Sequence, residues 1–290
     1  PVTGCTKVSP GCDHCYAETM SRRLAAMGQT KYLGVVDGKG WTTQVKVHPL
    51  ALGEPFHWKK PRRVFVCSMS DLFHSKVSWD FIIDVFETMN QCPQHTFQVL
   101  TKRPGRMAYF ANEILPYWGM AWPPNVWAGT SVESQEYAPR IDVLARVPAK
   151  VRFVSVEPML ELIDIRRYLR WTDLDQIPMY LRGKMAKFAL TNGANWVICG
   201  GESGPGARPA HPDWFRQVRD QCQAAGVPFF FKQNGSYVNA KCSDVPGGVI
   251  QGDWPIYCMK PSGELSMPNH HWSMQQGLRY AHLIKVGKKA

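Results

Sequence analysis

Six short apolar segments, each followed by a polar or glycine-rich turn, constrain the fold of this chain more than any other feature. They lie at 64–67, 96–100, 126–129, 151–155, 196–199 and 227–231. Most are apolar at consecutive rather than alternating positions, which is typical of parallel strands buried on both faces. The sequence therefore predicts an α/β protein with a parallel sheet.

Amphipathic helices are predicted between these strands. Residues 79–92 and 212–225 carry apolar side chains at helical spacing, and a third helix is predicted over 13–27. Strands that alternate with helices are joined by right-handed crossovers. We therefore expect a partial or full parallel (β/α) barrel over residues 1–235.

Two regions fall outside this alternation. Residues 28–62 have no helical period and are predicted to form a hairpin excursion. The turn-rich residues 236–290 are predicted to form an irregular C-terminal extension that packs on the barrel. This extension holds four residues that could form a second metal site, although their spacing is not specific. They are Cys242, Cys258, His270 and His271.

Composition excludes several classes of protein. A chain of 290 residues with 44% hydrophobic residues can bury a sizeable core, which excludes a disordered chain. Its apolar runs are all shorter than the roughly 20 residues that a membrane-spanning helix needs. The nine cysteines are an odd number without a preceding signal-peptide pattern, which favours reduced thiols in a cytoplasmic protein.

The residues that follow the six strands are rich in hydroxyls, carboxylates and cations. They occupy 68–71, 101–104, 130–134, 156–158, 200–204 and 232–235. Because function gathers at the carboxyl ends of parallel strands, we expect these loops to share one ligand site. The alternative is that they are polar only because loops are exposed.

Cys5, Cys12 and Cys15 form the motif C-x6-C-x2-C in a loop that leads into the first helix. A flexible loop lets three thiolates converge, and a helix amino terminus favours their negative charge. Three thiolates are one short of the four protein ligands of a structural zinc or iron–sulfur site. Either a fourth ligand comes from elsewhere or one metal position is open. His14 lies between two of the thiols, which disfavours it as the fourth ligand.

Five longer stretches carry a family resemblance. They are residues 4–18, 66–74, 100–104, 200–209 and 229–233. They resemble a phage-associated three-cysteine protein family, which looks like a divergent branch of the radical S-adenosylmethionine superfamily. That superfamily usually spaces its cysteines C-x3-C-x2-C, so the first cysteine loop of this chain is longer than usual.

The resemblance implies a cofactor set. Cys5, Cys12 and Cys15 would bind a [4Fe–4S] cluster, whose remaining iron binds the amino and carboxylate groups of S-adenosylmethionine. One electron then cleaves this cofactor to methionine and a 5′-deoxyadenosyl radical, which abstracts a hydrogen atom from the substrate. A flavodoxin- or ferredoxin-type electron donor is therefore an expected partner.

The resemblance also implies which residues contact S-adenosylmethionine. Ser68, Ser70 and Asp71 follow the first strand, where the superfamily holds the methionine amino group. Ser131 and Glu133 follow the third, where ribose and methionine carboxylate are held. The alternative is that Asp71 and Ser131 cap the helices after them. The remaining cofactor candidates are His14, Tyr16, Ser155, Gly200 and Gly201.

Seven further residues beyond the strands are candidates for contact with the substrate. The catalytic candidates are Lys102, Glu157 and Glu202, and the substrate-binding candidates are Arg103, Arg208, Lys232 and Gln233. Together they place several cations around one mouth, which fits an anionic substrate such as a nucleotide or a DNA strand. The alternative is that each is an ordinary solvated or paired surface charge.

The balance of charge also favours a nucleic-acid partner. The chain has 34 Lys and Arg against 23 Asp and Glu, a net charge of +11. Basic runs at 59–63 and 285–289 could form a phosphate- and base-binding surface with four tryptophans outside the strands. These are Trp41, Trp58, Trp254 and Trp272. The alternative is ordinary solubility and packing.

The sequence thus leads to the hypothesis of a radical S-adenosylmethionine enzyme that acts on a nucleic-acid base or nucleotide. Modification of a base in phage DNA, in the cytoplasm of the host, is its most specific form. The alternative is a non-enzymatic zinc or iron–sulfur protein that binds nucleic acid. Radical chemistry on a peptide or a small metabolite is a third possibility.

Overall fold

The computed structural model describes residues 1–169 and 193–236. The strands are β1 (Val2–Thr3), β2 (Val36–Asp37), β3 (Gly40–Trp41), β4 (Lys46–Val47), β5 (Arg63–Val66), β6 (Thr96–Thr101), β7 (Val126–Ser131), β8 (Arg152–Val156), β9 (Trp196–Gly200) and β10 (Phe229–Gln233). The α-helices are α1 (Tyr16–Ala26), α2 (Trp79–Gln91), α3 (Pro104–Tyr109), α4 (Leu115–Tyr117), α5 (Arg140–Leu144) and α6 (Pro212–Ala224). A π-helical turn, Phe110–Ile114, joins α3 to α4.

Strands β5 to β10 form one parallel sheet in which their spatial order is also their order along the chain. Each strand pairs in parallel with the next, so every connection is a crossover that leads from the carboxyl end of one strand back to the amino end of the following strand. This arrangement is a partial (β/α) barrel of six strands. It confirms the predicted α/β class and all six predicted strands.

The helix that departs most from prediction is the first one. It follows the loop between β1 and α1 that carries Cys5, Cys12 and Cys15, which we call the cysteine loop. The helix predicted over 13–27 begins at Tyr16, because Pro10–Cys12 forms a 3-10 turn and Cys15 is extended where it precedes α1. The helices predicted over 79–92 and 212–225 are confirmed to within one residue at each end.

The predicted hairpin excursion over 28–62 is confirmed. Strands β2 and β3 pair in an antiparallel hairpin, in which Asp37 Oδ1 accepts hydrogen bonds from the backbone nitrogens of Lys39 and Gly40. Strand β4 pairs with β1, which brings the excursion back beside the start of the cysteine loop. The C-terminal extension lies outside the described residues from 237 onward, and with it the candidate second metal site, Trp254, Trp272 and the basic run 285–289.

Side chains that alternate along each strand build two apolar layers. One layer is the main core beneath α2 and α6, to which β8 contributes Val154 and Val156. The other is a smaller cluster that includes Phe153 of the same strand, and it lies on the opposite face of the sheet. Its buried members are Phe153, Trp196 and Phe230, with Leu100, Trp127 and Ile198 packed against them. Among the described residues, no helix has the length and apolarity that crossing a bilayer requires.

Gly129 packs tightly against the Phe153 ring of this smaller cluster. Gly129 and Phe153 are direct partners in the register of β7 and β8, and a Cβ atom on Gly129 would overlap the Phe153 ring. We expect Gly129→Ala to lower the free energy of unfolding by about 1–3 kcal/mol, because the buried ring must move. Urea unfolding followed by circular dichroism measures the change. Gly105→Ala in α3, where the added Cβ meets open space, is the control, and equal stability of the two variants would contradict this packing.

Candidate functional site

The carboxyl ends of the six strands of the parallel sheet, with four of the loops that follow them, line one cavity of about 270 Å³ together with the cysteine loop. The predicted residues that line it from the cysteine loop and α1 are Cys5, Cys12, His14, Cys15 and Tyr16. Those that line it from the sheet are Ser68, Ser70, Asp71, Lys102, Arg103, Ser131, Ser155, Glu157, Gly201, Glu202 and Lys232. The carboxyl ends of the strands thus meet at one cavity, as predicted, and its role as a ligand site stays a prediction.

Four predicted residues lie behind the cavity rather than in its wall. They are Glu133, Gly200, Arg208 and Gln233. Each touches a residue of the site: Glu133 contacts Lys102, and Arg208 contacts Glu202. Gln233 accepts a hydrogen bond from Gly201 N at its backbone oxygen, which holds β9 and β10 together beyond Gly200.

The floor of the cavity is the part of the site that the sequence did not reveal. It is apolar and comes from side chains on alternate strand positions, together with Trp41 from the β2–β3 hairpin. These floor residues are Phe65, Leu100, Trp196, Ile198 and Phe230. In the sequence they look like ordinary core residues, since consecutive apolar positions do not show which face is open. The available signal is the two-residue period within each strand.

The three thiols are free and half-buried, and all three lie in the loop between β1 and α1. Burial and the nearby Asp71 carboxylate raise the pKa of Cys5 to about 11, although Arg103 opposes this shift. Burial also raises the pKa of Cys15. Within the described ranges, no three His, Cys, Asp or Glu side chains converge closely enough to hold a single metal ion. The thiols instead share the wall of the cavity.

Asp71 anchors the first part of the cysteine loop. Its buried carboxylate accepts a hydrogen bond from Thr101 Oγ1 at 2.7 Å and pairs with Arg103 Nη1 at 2.7 Å. Arg103 Nη2 donates in turn to the Thr6 carbonyl oxygen at 3.0 Å and to Thr6 Oγ1 at 2.9 Å. Arg103 Nη1 also lies 3.9 Å from Cys5 Sγ. Arg103 therefore fixes the loop at the residue after Cys5.

Glu133 anchors the middle of the loop. Its fully buried carboxylate pairs with Lys102 Nζ and with Arg140 Nη1, the latter at 2.9 Å, and accepts a hydrogen bond from Ser9 Oγ at 2.8 Å. Burial alone would raise the pKa of Glu133, but these cations and the hydrogen bonds outweigh it and lower the pKa. Gly11 packs so closely on Glu133 that a Cβ atom there would overlap the glutamate side chain.

Glu202 anchors the last part of the loop. Its buried carboxylate accepts hydrogen bonds from Arg208 Nη2 at 2.6 Å and Arg208 Nε at 2.9 Å, and it contacts His14 Nδ1 at 2.9 Å. Arg208 Nη2 also donates to the Pro10 carbonyl oxygen at 2.8 Å. We call Asp71, Glu133 and Glu202 the three carboxylate anchors. They follow β5, β7 and β9, and each is linked to a different point of the cysteine loop.

The remaining predicted residues have separate partners. Ser70 Oγ donates to the Val2 carbonyl oxygen at 2.8 Å, which holds β1 in place, and the Tyr16 hydroxyl donates to the Ser68 carbonyl oxygen. Glu157 and Lys232 form an ion pair of 2.9 Å across β8 and β10. Ser131 and Ser155 are direct register partners on β7 and β8, and both face the cavity.

The ion pairs of the site change the predicted charge at the mouth of the cavity. Each cation predicted to attract an anionic substrate is paired with a carboxylate: Lys102 with Glu133, Arg103 with Asp71, Arg208 with Glu202 and Lys232 with Glu157. The basic run 59–63 leads into the amino end of β5, at the sheet edge opposite the cavity. There Arg62 lies over the Trp58 ring, 4.9 Å from its centroid. The mouth is therefore an ion-paired frame rather than a ring of free cations.

The Glu202 anchor predicts a specific dependence of stability on pH. Burial alone would raise the pKa of Glu202, but the hydrogen bonds from Arg208 and His14 lower it from its ordinary value of 4.5 to about 2. The ionised anchor thus stabilises the fold above pH 4.5, and this contribution is lost as the pH falls from about 4.5 to about 2.

We expect Glu202→Gln to lower the free energy of unfolding at pH 7 by about 2 kcal/mol, because the charged hydrogen bonds are lost. The difference from wild type should shrink toward pH 2. Urea unfolding at a series of pH values measures both effects. Asp220→Asn, at an exposed position on α6, is the control. A difference for Glu202→Gln that stays constant from pH 7 to pH 2 would contradict the assignment.

The contact of Gly11 with Glu133 predicts that this glycine keeps the cysteine loop closed. We expect Gly11→Ala to lift the loop and to increase the rate of maleimide labelling of Cys12 severalfold, as measured by mass spectrometry of peptides. Gly38→Ala in the β2–β3 turn, where an added Cβ meets open space, is the matched control. Unchanged labelling in Gly11→Ala would show that the loop is not held by this contact.

Comparison with known proteins gives one family. The family model described as "Protein of unknown function (DUF5131)" matches residues 1–290. Searches of curated proteins and of solved structures find no match. The matched range includes the cysteine loop, the six parallel strands and the three carboxylate anchors. Because the match covers the whole chain, this protein belongs to the DUF5131 family.

Proposed function

We propose that this protein is a radical S-adenosylmethionine enzyme that holds a [4Fe–4S] cluster on Cys5, Cys12 and Cys15. The observation that carries the proposal is that three free thiols line one cavity at the carboxyl ends of six parallel strands. The sequence motif and the resemblance to the phage-associated three-cysteine family support the same chemistry. In this proposal the partial barrel is of the radical S-adenosylmethionine type.

The residues of the loop suit a cluster. In such a site three of the four irons would each be bound by a separate thiolate, so the thiols need not converge on one point and can instead line a cavity, as these three do. Burial disfavours the charged form of Cys5 and Cys15 in the metal-free protein. A metal reverses this preference, because its positive charge takes the place of the protons that the thiols release. The three carboxylate anchors would then keep the loop from moving as the cluster binds.

When bound, a cluster of this kind supplies an electron that splits S-adenosylmethionine into methionine and a 5′-deoxyadenosyl radical, which removes a hydrogen atom from a substrate. The contribution of this chain is to bind, orient and shield. Ser131 and Ser155 offer a pair of hydroxyls to the cofactor, while Leu100, Trp196 and Phe230 offer an apolar surface to its adenine ring.

The same contacts divide the predicted residues into two groups. Asp71, Glu133, Arg103 and Arg208 are proposed to hold the cysteine loop, since their charged groups already pair with one another or with the loop. Lys102 and Glu202 belong to this group as well. Glu157 and Lys232 pair across β8 and β10 and line the cavity, so we propose that they orient the substrate.

A nucleic-acid base or nucleotide is the proposed substrate class. The net charge of +11 and the phage-associated resemblance support it. The ion-paired mouth and apolar floor suit a planar base that enters the cavity while its phosphates stay outside, as in enzymes that flip a base out of the stack. A flavodoxin- or ferredoxin-type protein is the proposed electron donor.

Anaerobic reconstitution with iron and sulfide tests the proposal. We expect about four iron atoms per chain and the release of 5′-deoxyadenosine from S-adenosylmethionine in the presence of dithionite. Cys5→Ala, Cys12→Ala and Cys15→Ala should each abolish that release. Cys92→Ala, which removes a buried thiol at the end of α2 and outside the cavity, should retain it.

Two results would overturn the proposal. Zinc in place of iron, with no cleavage after reconstitution, would identify a metal-binding protein without this chemistry, and its binding to DNA should then be measured. Iron uptake that is equal in Cys12→Ala and Cys92→Ala would show that the cysteine loop is not the cluster site. Cleavage that is stimulated by a peptide or a small metabolite, and not by DNA or nucleotides, would overturn only the substrate class.

A further inference from the structure

Helix α1 carries an exposed stripe of large side chains that begins one residue after Cys15. Tyr16, Met20, Arg23 and Met27 are spaced by four, three and four residues, so they lie on one face of the helix and of the turn that ends it. Tyr16 is 56% exposed, Met20 41% and Met27 66%. Methionine and tyrosine at such exposure are adaptable contact residues for a partner protein. We call these four residues the α1 stripe.

The exposed charges on α1 itself are positive, and the nearby exposed acid Asp13 in the cysteine loop pairs with Arg208 at 3.6 Å. The exposed charged residues of α1 are Arg22 and Arg23, because the helix's only acidic residue, Glu18, is buried and pairs with Arg22 at 3.4 Å. Lys7 in the cysteine loop and Lys31 just beyond the helix are also exposed. A surface of this kind attracts an acidic partner and speeds its association at low salt.

The size and position of the stripe suit a transient partner. From Tyr16 to Met27 the helix rises about 16 Å, at 1.5 Å per residue. Such a patch belongs to the small interfaces, below about 1,200 Å² in total, that are typical of electron-transfer encounters. Tyr16 both heads the stripe and lines the cavity with Cys15. A protein seated on the stripe would therefore stand directly over the cysteine loop.

We propose that the α1 stripe is the docking surface for a small acidic one-electron carrier protein. The inference rests on the proposed function, which requires an electron from outside the chain. In the transfer the carrier would lose one electron and be oxidised, and the [4Fe–4S] cluster proposed on Cys5, Cys12 and Cys15 would gain it and be reduced, with no bond made or broken. Met20 and Met27 supply the apolar centre of the interface, and the arginines supply its cationic rim.

The test compares two sources of electrons in the full-length protein. Met20→Glu combined with Met27→Glu places acidic groups at the centre of the stripe, outside the cavity. Tyr117→Glu on α4, at a side chain that is 86% exposed, is the matched control. The probe is flavodoxin. Its dissociation constant is measured by calorimetry at 50 and 200 mM salt, and cleavage of S-adenosylmethionine is measured with reduced flavodoxin and, separately, with dithionite.

We expect the double variant to weaken flavodoxin binding and flavodoxin-driven cleavage by at least about tenfold, with dithionite-driven cleavage unchanged. Wild type and Tyr117→Glu should behave alike, and their binding should weaken at the higher salt concentration. Flavodoxin binding that is equal in all three proteins would overturn the docking surface. A shift of the double variant from dimer to monomer on sedimentation would overturn it too, because a second copy would then be the occupant.

The two proposals fail in different ways. Dithionite does not need a docking surface, so its failure to drive cleavage in the wild-type protein would count against the proposed function alone. The binding measurement still tests the stripe in that case, since it does not depend on cleavage. Normal dithionite-driven cleavage, with flavodoxin binding that is insensitive to the double variant, would instead leave the proposed function standing and remove the docking surface.

Discussion

The cysteine loop is held in place by the need to neutralise three carboxylates that the fold takes out of water. A buried carboxylate stays ionised only where cations and hydrogen-bond donors surround it. Asp71, Glu133 and Glu202 obtain cationic partners from the segments that follow the strands. Ser9 and His14 of the loop contact Glu133 and Glu202 directly, while Arg103 and Arg208, beside Asp71 and Glu202, donate to loop carbonyl oxygens. The position of the loop and the ionisation of Glu133 and Glu202, whose pKa values are lowered by these contacts, therefore depend on each other.

The parallel sheet makes this arrangement possible because all its strands end at one edge. Strands β5, β7 and β9 place a carboxylate just beyond that edge, so the anchors are spread along the length of the loop rather than gathered at one point. Beneath them the alternation of side chains gives the open face an apolar floor that includes Leu100 and Trp196. The cavity thus lies between a rigid floor and an anchored loop, which keeps the thiols in a fixed relation to any ligand on the floor.

Much of this fold and site could be predicted from local patterns. The six strands were recognisable from their consecutive apolar residues, and the convergence of their loops follows from parallel topology alone. The roles of single residues could not be predicted in the same way. Lys102 and Arg103 are adjacent in the sequence, and the sequence predicts that both contact the substrate. In the structure they serve different carboxylates, Glu133 and Asp71, because consecutive residues leave the end of a strand in different directions.

The sequence by itself determined the class of fold, the six strands and the three-cysteine motif, because each depends on residues close together in the chain. Only the tertiary structure decided which polar groups are paired, since the cysteine-loop partners of Glu133 and Glu202, Ser9 and His14, lie more than a hundred residues away from them in the chain. It also decided which face of the sheet is open. A run of consecutive apolar residues makes both faces of a strand apolar. Only the packing of the helices on one face leaves the other face to form a cavity.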